Sequence, residues 1–345
     1  MQQIDELQVN IDQFTVVFQK ENYVNWDIDC QEFEQHLLDN SLLSLHDEIL
    51  DFGKLQGYNK VIKLRFNGND VKLGYNVSQP SLGFCIHFDA MAFKSLLQGL
   101  DITAYKVYQD LCKFGLDYGY KAHLSRVDVA ADLFNQSYVV NDIAKRISRQ
   151  TILIKDYRGR ENNSKIEYHG NESTTNTIYI GSRKKSFLRV YNKQREQLDN
   201  HGSYLSLANS VENWTRFEYE IRSPYSRQFS EKLLQIRDDR SFNSLLLQTI
   251  TDRYRFISPK GNILGFTKLM LNGIKDVTPT IFAPKTRLNN HDLVKRGDYY
   301  KSPKSGLIRF LEDSNNKQGT DSAKEFLNEL ILLSGMNDKL KIVDK

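Results

Sequence analysis

The alternation of apolar and polar residues predicts a run of short strands interleaved with helices. Residues 11–18, IDQFTVVF, predict an opening strand, and 29–43 have helical spacing. Residues 60–74 predict a hairpin turning at Asn67-Gly68-Asn69-Asp70, followed by a strand at 83–88. Helices are predicted over 89–100 and 103–118, the second with Tyr105, Val107, Tyr108, Leu111 and Phe114 as its apolar stripe. A strand at 124–133 precedes a short helix at 141–149 with Asn141 as its N-cap. Residues 157–176 are polar and predict a loop or exposed ribbon. Two strands then follow, 177–180 and 187–191, joined by the basic turn Gly181-Ser182-Arg183-Lys184-Lys185-Ser186. A helix or connection at 197–212, a strand at 214–222 stopped by Ser223-Pro224, and helical spacing over 229–252 complete the main run. Ser258-Pro259-Lys260-Gly261 reads as a break. The last helix is placed at 322–333, opened by a Ser322/Glu325 capping box and stopped by Gly335.

Strands and helices that mix without a regular βαβ beat predict an α+β fold. The expected architecture is a large, mostly antiparallel curved sheet with flanking helices over residues 1–260. A smaller mixed or helical region, 261–345, is expected to serve DNA recognition or an accessory role.

Composition narrows the function. The chain of 345 residues is 40% hydrophobic and 26% charged, as soluble globular proteins are. No apolar run approaches the ~20 residues that span a membrane, and the acidic N-terminus is no secretory signal. Cys30, Cys85 and Cys112 are odd in number and unpaired in spacing, which suggests a reducing cytoplasm and no structural zinc. Residues 1–60 carry a net charge of −9 against +13 for the rest, which points to a polyanion partner on the basic surface. GxxxxGK[ST] and GxGxxG are both absent, which argues against a nucleotide-driven motor. The histidines are scattered without a His-x-His pair, and no GxSxG supports triad chemistry.

The chemistry-bearing residues lie on strands. On the strand ending at Tyr191, period-two geometry places Arg189, Tyr191 and Lys193 on one face. A tyrosine hydroxyl between two cations suits attack on a phosphate. A free phenol has a pKa of about 10, and Arg189 and Lys193 are expected to lower the cost of ionising it. Two further strands carry acids. Arg126, Asp128, Ala130 and Asp132 share a face, as do Arg216, Glu218, Glu220 and Arg222. Acids are disfavoured in strand interiors. One explanation is a hard divalent cation, Mg²⁺ or Mn²⁺, held by oxygen ligands beside a phosphate. At roughly 3.3 Å per residue Glu218 and Glu220 can converge on one ion, whereas Asp128 and Asp132 are about 13 Å apart. Asp128 with the two glutamates is therefore the favoured set, and Asp132 the outer candidate. The other explanation is that Arg126, Arg216 and Arg222 pair with these acids across the solvent face of a sheet.

The order RVDVAAD, YIGSRKKSFLRVYNK, RFEYEIR resembles the Rep-trans replication initiation factors, over roughly residues 10–255. These are rolling-circle initiators of small plasmids and related relaxases of integrative and conjugative elements. The resemblance implies that Tyr191 nicks one DNA strand, forming a 5′-phosphotyrosyl intermediate and a free 3′-OH, and that the strand is later rejoined. It implies a metal-dependent site on Asp128, Asp132, Glu218 and Glu220. It also implies a homodimer, supercoiled origin DNA extruded as a hairpin with single-stranded segments, and a host helicase partner. Arg183, Lys184, Lys185, Arg126 and Arg222 are the expected DNA contacts, with Lys285, Arg287, Lys295, Arg296, Lys301 and Lys304 as a second basic cluster. A conjugative relaxase with the same chemistry, a non-catalytic DNA-binding regulator and a water-using metal phosphodiesterase are the alternatives.

Overall fold

The computed structural model describes residues 6–162, 164–170, 174–183 and 186–276, with six positions beyond: 311–312, 324–325 and 327–328. In chain order the elements begin with β1 (Leu7–Gln19), α1 (Trp26–Asn40), β2 (Glu48–Leu50), β3 (Lys60–Phe66), β4 (Asn69–Tyr75) and β5 (Phe84–Phe88). Then come α2 (Ala90–Leu100), α3 (Ala104–Asp117), β6 (Lys121–Phe134), α4 (Val140–Ser148), β7 (Leu153–Lys155) and β8 (Ile166–Gly170). β9 (Thr175–Ser182), β10 (Ser186–Asn192), α5 (Lys193–Asp199), α6 (Leu205–Ser210) and β11 (Trp214–Arg222) follow. The run closes with α7 (Tyr225–Leu233), α8 (Asp239–Thr251), β12 (Arg255–Ile257) and α9 (Gly265–Gly273).

Ten strands form one sheet in the order β2-β3-β4-β5-β1-β6-β11-β10-β9-β8. Every pairing within it is antiparallel, as the α+β reading expected. β12 and β7 pair separately. The β3–β4 hairpin turns where expected, because Asn67 (φ 47°) and Gly68 (φ 78°) supply the two left-handed positions that a two-residue turn needs.

The two faces of the central strands differ in kind. Val127, Val129, Ala131 and Leu133 of β6, Phe217, Tyr219 and Ile221 of β11, and Leu188 and Val190 of β10 are all buried. Phe217 packs on Phe256 and Phe266, and Tyr219 stacks edge-on to Tyr254. This apolar side holds the sheet to the segment after α8. The alternate positions carry the arginines, the acids and Tyr191.

Several expectations change. Residues 157–176 contain an edge strand, β8, paired to β9. Asn141 does not cap α4: Val139 holds the N-cap position, and the Asn141 side chain accepts from the Thr175 amide at 3.0 Å. The long helix expected over 229–252 is two, with Asp238 capping the second through the Ser241 amide. The chain divides into compact units Met1–Phe282 and Ala283–Lys345, so α9, beyond the break expected at Gly261, packs within the first unit against α8. Of the expected final helix, Lys324, Glu325, Leu327 and Asn328 are helical, while Ser322 and Gly335 lie outside the described residues. The basic cluster Lys285 to Lys304, with Lys184 and Lys185, also lies outside them. Among the described residues, no helix is long and apolar enough to cross a membrane.

Candidate active site

Three paired strands and a bulge build the site. In the β10–β11 register Arg189 faces Glu218 and Tyr191 faces Arg216. In the β11–β6 register Arg216 faces Asp132 and Glu220 faces Asp128. Cross-strand neighbours on one face lie within side-chain reach, so these residues form a ladder of alternating charge. β1 completes it. Its pairing with β6 slips by one residue between Ile11 and Gln13, and the extra residue is Asp12.

The acids do not lie on a solvent face. Asp128, Asp132, Glu218 and Glu220 are each 3% exposed or less. Buried carboxylates need partners, and each has an arginine. Arg126 bridges Asp128 (2.6 Å) and Glu220 (3.2 Å), and Arg222 adds a second contact to Glu220 at 2.6 Å. Arg189 pairs with Glu218. Arg216 grips Asp132 through Nε (2.7 Å) and a terminal nitrogen (2.8 Å), and reaches Asp12 at 2.9 Å. Trp214 Nε1 also donates to Asp132 at 2.7 Å.

The pairing foreseen between arginines and acids is therefore present, but in the interior. Arg126 and Arg222, expected on DNA, are committed to carboxylates. Arg183 is exposed, with its guanidinium 5.3 Å from the Phe187 ring centroid.

Tyr191 donates its hydroxyl proton to Glu218 Oε2 at 3.0 Å. This separates Glu218 from the other acids: it is the carboxylate that accepts a hydrogen bond from the phenol. The electrostatics also differ from expectation. Burial pushes the Tyr191 phenol above its ordinary value, Arg216 pulls it down, Asp12 and Glu196 push it up, and Arg189 pulls it down. Lys193 does not share the strand face. Asn192 caps α5 through the Arg195 amide, so Lys193 opens a helix, where it pairs with Glu196 at 2.6 Å. Its ammonium is 5.7 Å from the Tyr191 ring centroid. The cation that acts most on the hydroxyl is Arg216, whose own charge is opposed by burial and more than restored by Asp132 and Asp12.

Tyr191, Arg216, Glu218 and Arg189 border a cleft of about 520 Å³, with α2 on one side and α5 and the loop after it on another. Arg216 and Asp12 are the site residues that the pattern along the chain undervalued. The one available signal was Asp12-Gln13: two successive polar residues inside an apolar strand mark a bulge.

No cluster of three or more metal-competent side chains is brought together among the described residues. The four acids are instead divided. Asp132 is taken up by Arg216 and Trp214, and Glu218 by Arg189 and Tyr191. Asp128 and Glu220 face each other on paired strands and share the Arg126 guanidinium, which stands where a cation's charge would stand. These two carboxylates are hard oxygen donors of the kind Mg²⁺ or Mn²⁺ takes, and an ion between them would displace Arg126.

Residues 122–269 match the Rep-trans family model, described as replication initiation factor, which is the family the motifs resembled. The fold agrees with that of a rolling circle replication initiator protein from Geobacillus stearothermophilus. That likeness has a TM-score of 0.53 at 16% identity, over 78% of this chain and 96% of the other. A search of curated proteins finds no match.

Proposed function

We propose that the protein initiates rolling-circle DNA replication by nicking one strand of its origin with Tyr191. The observation that carries the proposal is the Tyr191–Glu218 hydrogen bond at the edge of a cleft flanked by Arg216, inside the segment that matches a replication initiation factor. The phenol oxygen attacks the scissile phosphorus while its proton passes to Glu218. The new O–P bond replaces the P–O3′ bond, and the departing 3′ oxygen takes a proton from solvent. One phosphodiester replaces another, so the same residues can run the step backwards and rejoin the strand. Arg216 and Arg189 offset the charge that grows on the phosphate oxygens.

Asp128 and Glu220 would hold Mg²⁺ or Mn²⁺ in place of the Arg126 guanidinium, and the ion when bound supplies Lewis-acid polarisation of the phosphate. The charges of Arg183, Lys184 and Lys185 suit the DNA backbone. Residues 261–345 are assigned to origin recognition or an accessory role. A homodimer, a host helicase partner and a cytoplasmic location belong to the same reading. A conjugative relaxase would use the same chemistry.

The test is incubation with supercoiled cognate origin DNA and Mg²⁺ or Mn²⁺, analysed under denaturing conditions with and without protease. Wild type should nick and keep the 5′ end bound to protein, and Tyr191→Phe should bind without nicking. Nicking by Tyr191→Phe at the wild-type rate would remove Tyr191 from the chemistry. Binding without nicking by both proteins would favour a non-catalytic regulator.

A further inference from the structure

The cleft beside Tyr191 is spanned at one point by two contacts between α2 and the loop after α5. Lys94 Nζ lies 3.4 Å from the centroid of the Tyr204 ring, and Ser203 Oγ donates to Met91 Sδ at 3.6 Å. The two partners are held very differently. Tyr204 is fixed from behind. Its amide donates to Gln197 Oε1 at 2.9 Å, and its ring packs edge-on to the buried Trp214 at 5.9 Å. The loop that delivers it is tight, since a Cβ on Gly202 would meet Gln197 Oε1 at 2.3 Å. Lys94, by contrast, shows no ion pair or hydrogen bond among the described residues, and its contact is the ring face. A rigid aromatic surface covered by a flexible ammonium therefore opens on the same cleft as the tyrosine hydroxyl.

We propose that Lys94 and Tyr204 form a subsite for one unpaired nucleotide next to the phosphate attacked by Tyr191. This rests on the nicking function proposed above and names where the neighbouring nucleotide goes. In the free protein the two side chains occupy each other. When a strand enters, Lys94 moves from the ring to a backbone phosphate, and the exposed ring face stacks a base. Both new contacts belong to the ligand: aromatic side chains stack any base, and a cation tracks the backbone. The cleft, at about 520 Å³, falls in the ~300–1,000 Å³ range of small-ligand sites and admits one nucleotide unit rather than a duplex. The Tyr204 platform adjoins the chemistry through Trp214, whose indole donates to Asp132, the carboxylate that holds Arg216. A stacked base there is held by the same framework that holds the charge beside Tyr191.

The experiment uses the full chain carrying Tyr191→Phe, so that no strand is cut, and an oligothymidylate with a single internal 2-aminopurine. Binding should quench the 2-aminopurine in this background. Adding Tyr204→Leu should abolish the quench and weaken binding about tenfold, and Tyr204→Phe should keep both. Adding Lys94→Ala should lower the slope of log affinity against log salt by about 0.7, the loss of one phosphate contact on a single strand. An unchanged quench in Tyr204→Leu, or an unchanged salt slope in Lys94→Ala, would overturn the subsite while leaving the nicking proposal standing. Conversely, nicking by Tyr191→Phe alone would remove the proposed nucleophile without altering the quench that reports on Tyr204.

Discussion

Arg216→Met is the most informative single substitution, because it removes one charge from a nearly dry pair and leaves the shape almost intact. Arg216 and Asp132 are each 3% exposed. Asp132 accepts three hydrogen bonds, two of them from Arg216. With methionine in place, the carboxylate keeps only the Trp214 indole. Stranding one partner of a buried pair costs about 3–5 kcal/mol. At the usual unfolding entropy per residue, each kcal/mol moves the melting temperature of a 345-residue chain by about 1.4 °C, so a fall of roughly 4–7 °C is expected. The assay is urea and thermal unfolding of wild type, Arg216→Met, Asp132→Asn and the double variant. Asparagine keeps an acceptor for Trp214 Nε1 while removing the charge, so the double variant should recover at least about 2 kcal/mol of the Arg216→Met loss. Asp12→Asn should cost about 1 kcal/mol or less, because Asp12 is one-quarter exposed and screened by solvent. Arg216→Met within about 1 kcal/mol of wild type, or strict additivity in the cycle, would refute the reasoning from buried charge.

Acid should destabilise the fold through two histidines. His87 is pulled down to about 4 by burial, with Lys72 and Arg126 adding, and His123 to about 4 by burial, with Arg227 adding. The unfolded chain binds these protons first, so stability is full above an ordinary histidine value of 6.5 and is lost as pH falls towards 4. The loss is on the order of 3 kcal/mol each, and urea midpoints at pH 5 and 7 should converge in the double variant His87→Gln/His123→Gln. Gly181→Ala should lower stability by at least about 1 kcal/mol, read by thermal melting. Its φ is +103°, and a Cβ there would meet the Ser186 carbonyl oxygen at 2.2 Å. Glu218→Gln should slow single-turnover nicking by about 10²–10⁴-fold while leaving origin binding intact, since it removes the proton acceptor of Tyr191. A rate within twofold of wild type would deny Glu218 that role.

The strands that make the site were legible because period-two alternation is enforced where one face packs on apolar residues, as at Val127, Val129 and Ala131 or Phe217, Tyr219 and Ile221. β8 was not, since an edge strand with exposed Glu167, Tyr168 and His169 has little packing demand to leave a mark. The switch from β10 to α5 was hidden because Lys193 continues the strand's polar alternation past the Asn192 cap. The break between α7 and α8 falls in the polar run Arg237-Asp238-Asp239-Arg240-Ser241, where the apolar spacing lapses between Ile236 and Phe242 and Asp238 caps the second helix. Within the site, Tyr191 and the four acids were visible as residues, but their partnerships were not. Which arginine meets which carboxylate is a matter of register, and the Asp12 bulge that brings β1 to Arg216 depends on a slip in pairing.

The family match covers residues 122–269, yet the sheet does not respect that boundary. β6 lies between β11 on one side and β1 on the other, and β1 with α2 comes from the first hundred residues. A fragment trimmed to the matched segment would keep Tyr191 and all four acids. It would also bare β6 as an unpaired edge and remove α3 from its apolar face, which α7 and α8 would cover only in part. Such an edge is a template for intermolecular strand addition. The excised piece should therefore self-associate into β-rich aggregates instead of behaving as a minimal nickase, and its solubility should return when residues 1–121 are supplied in trans.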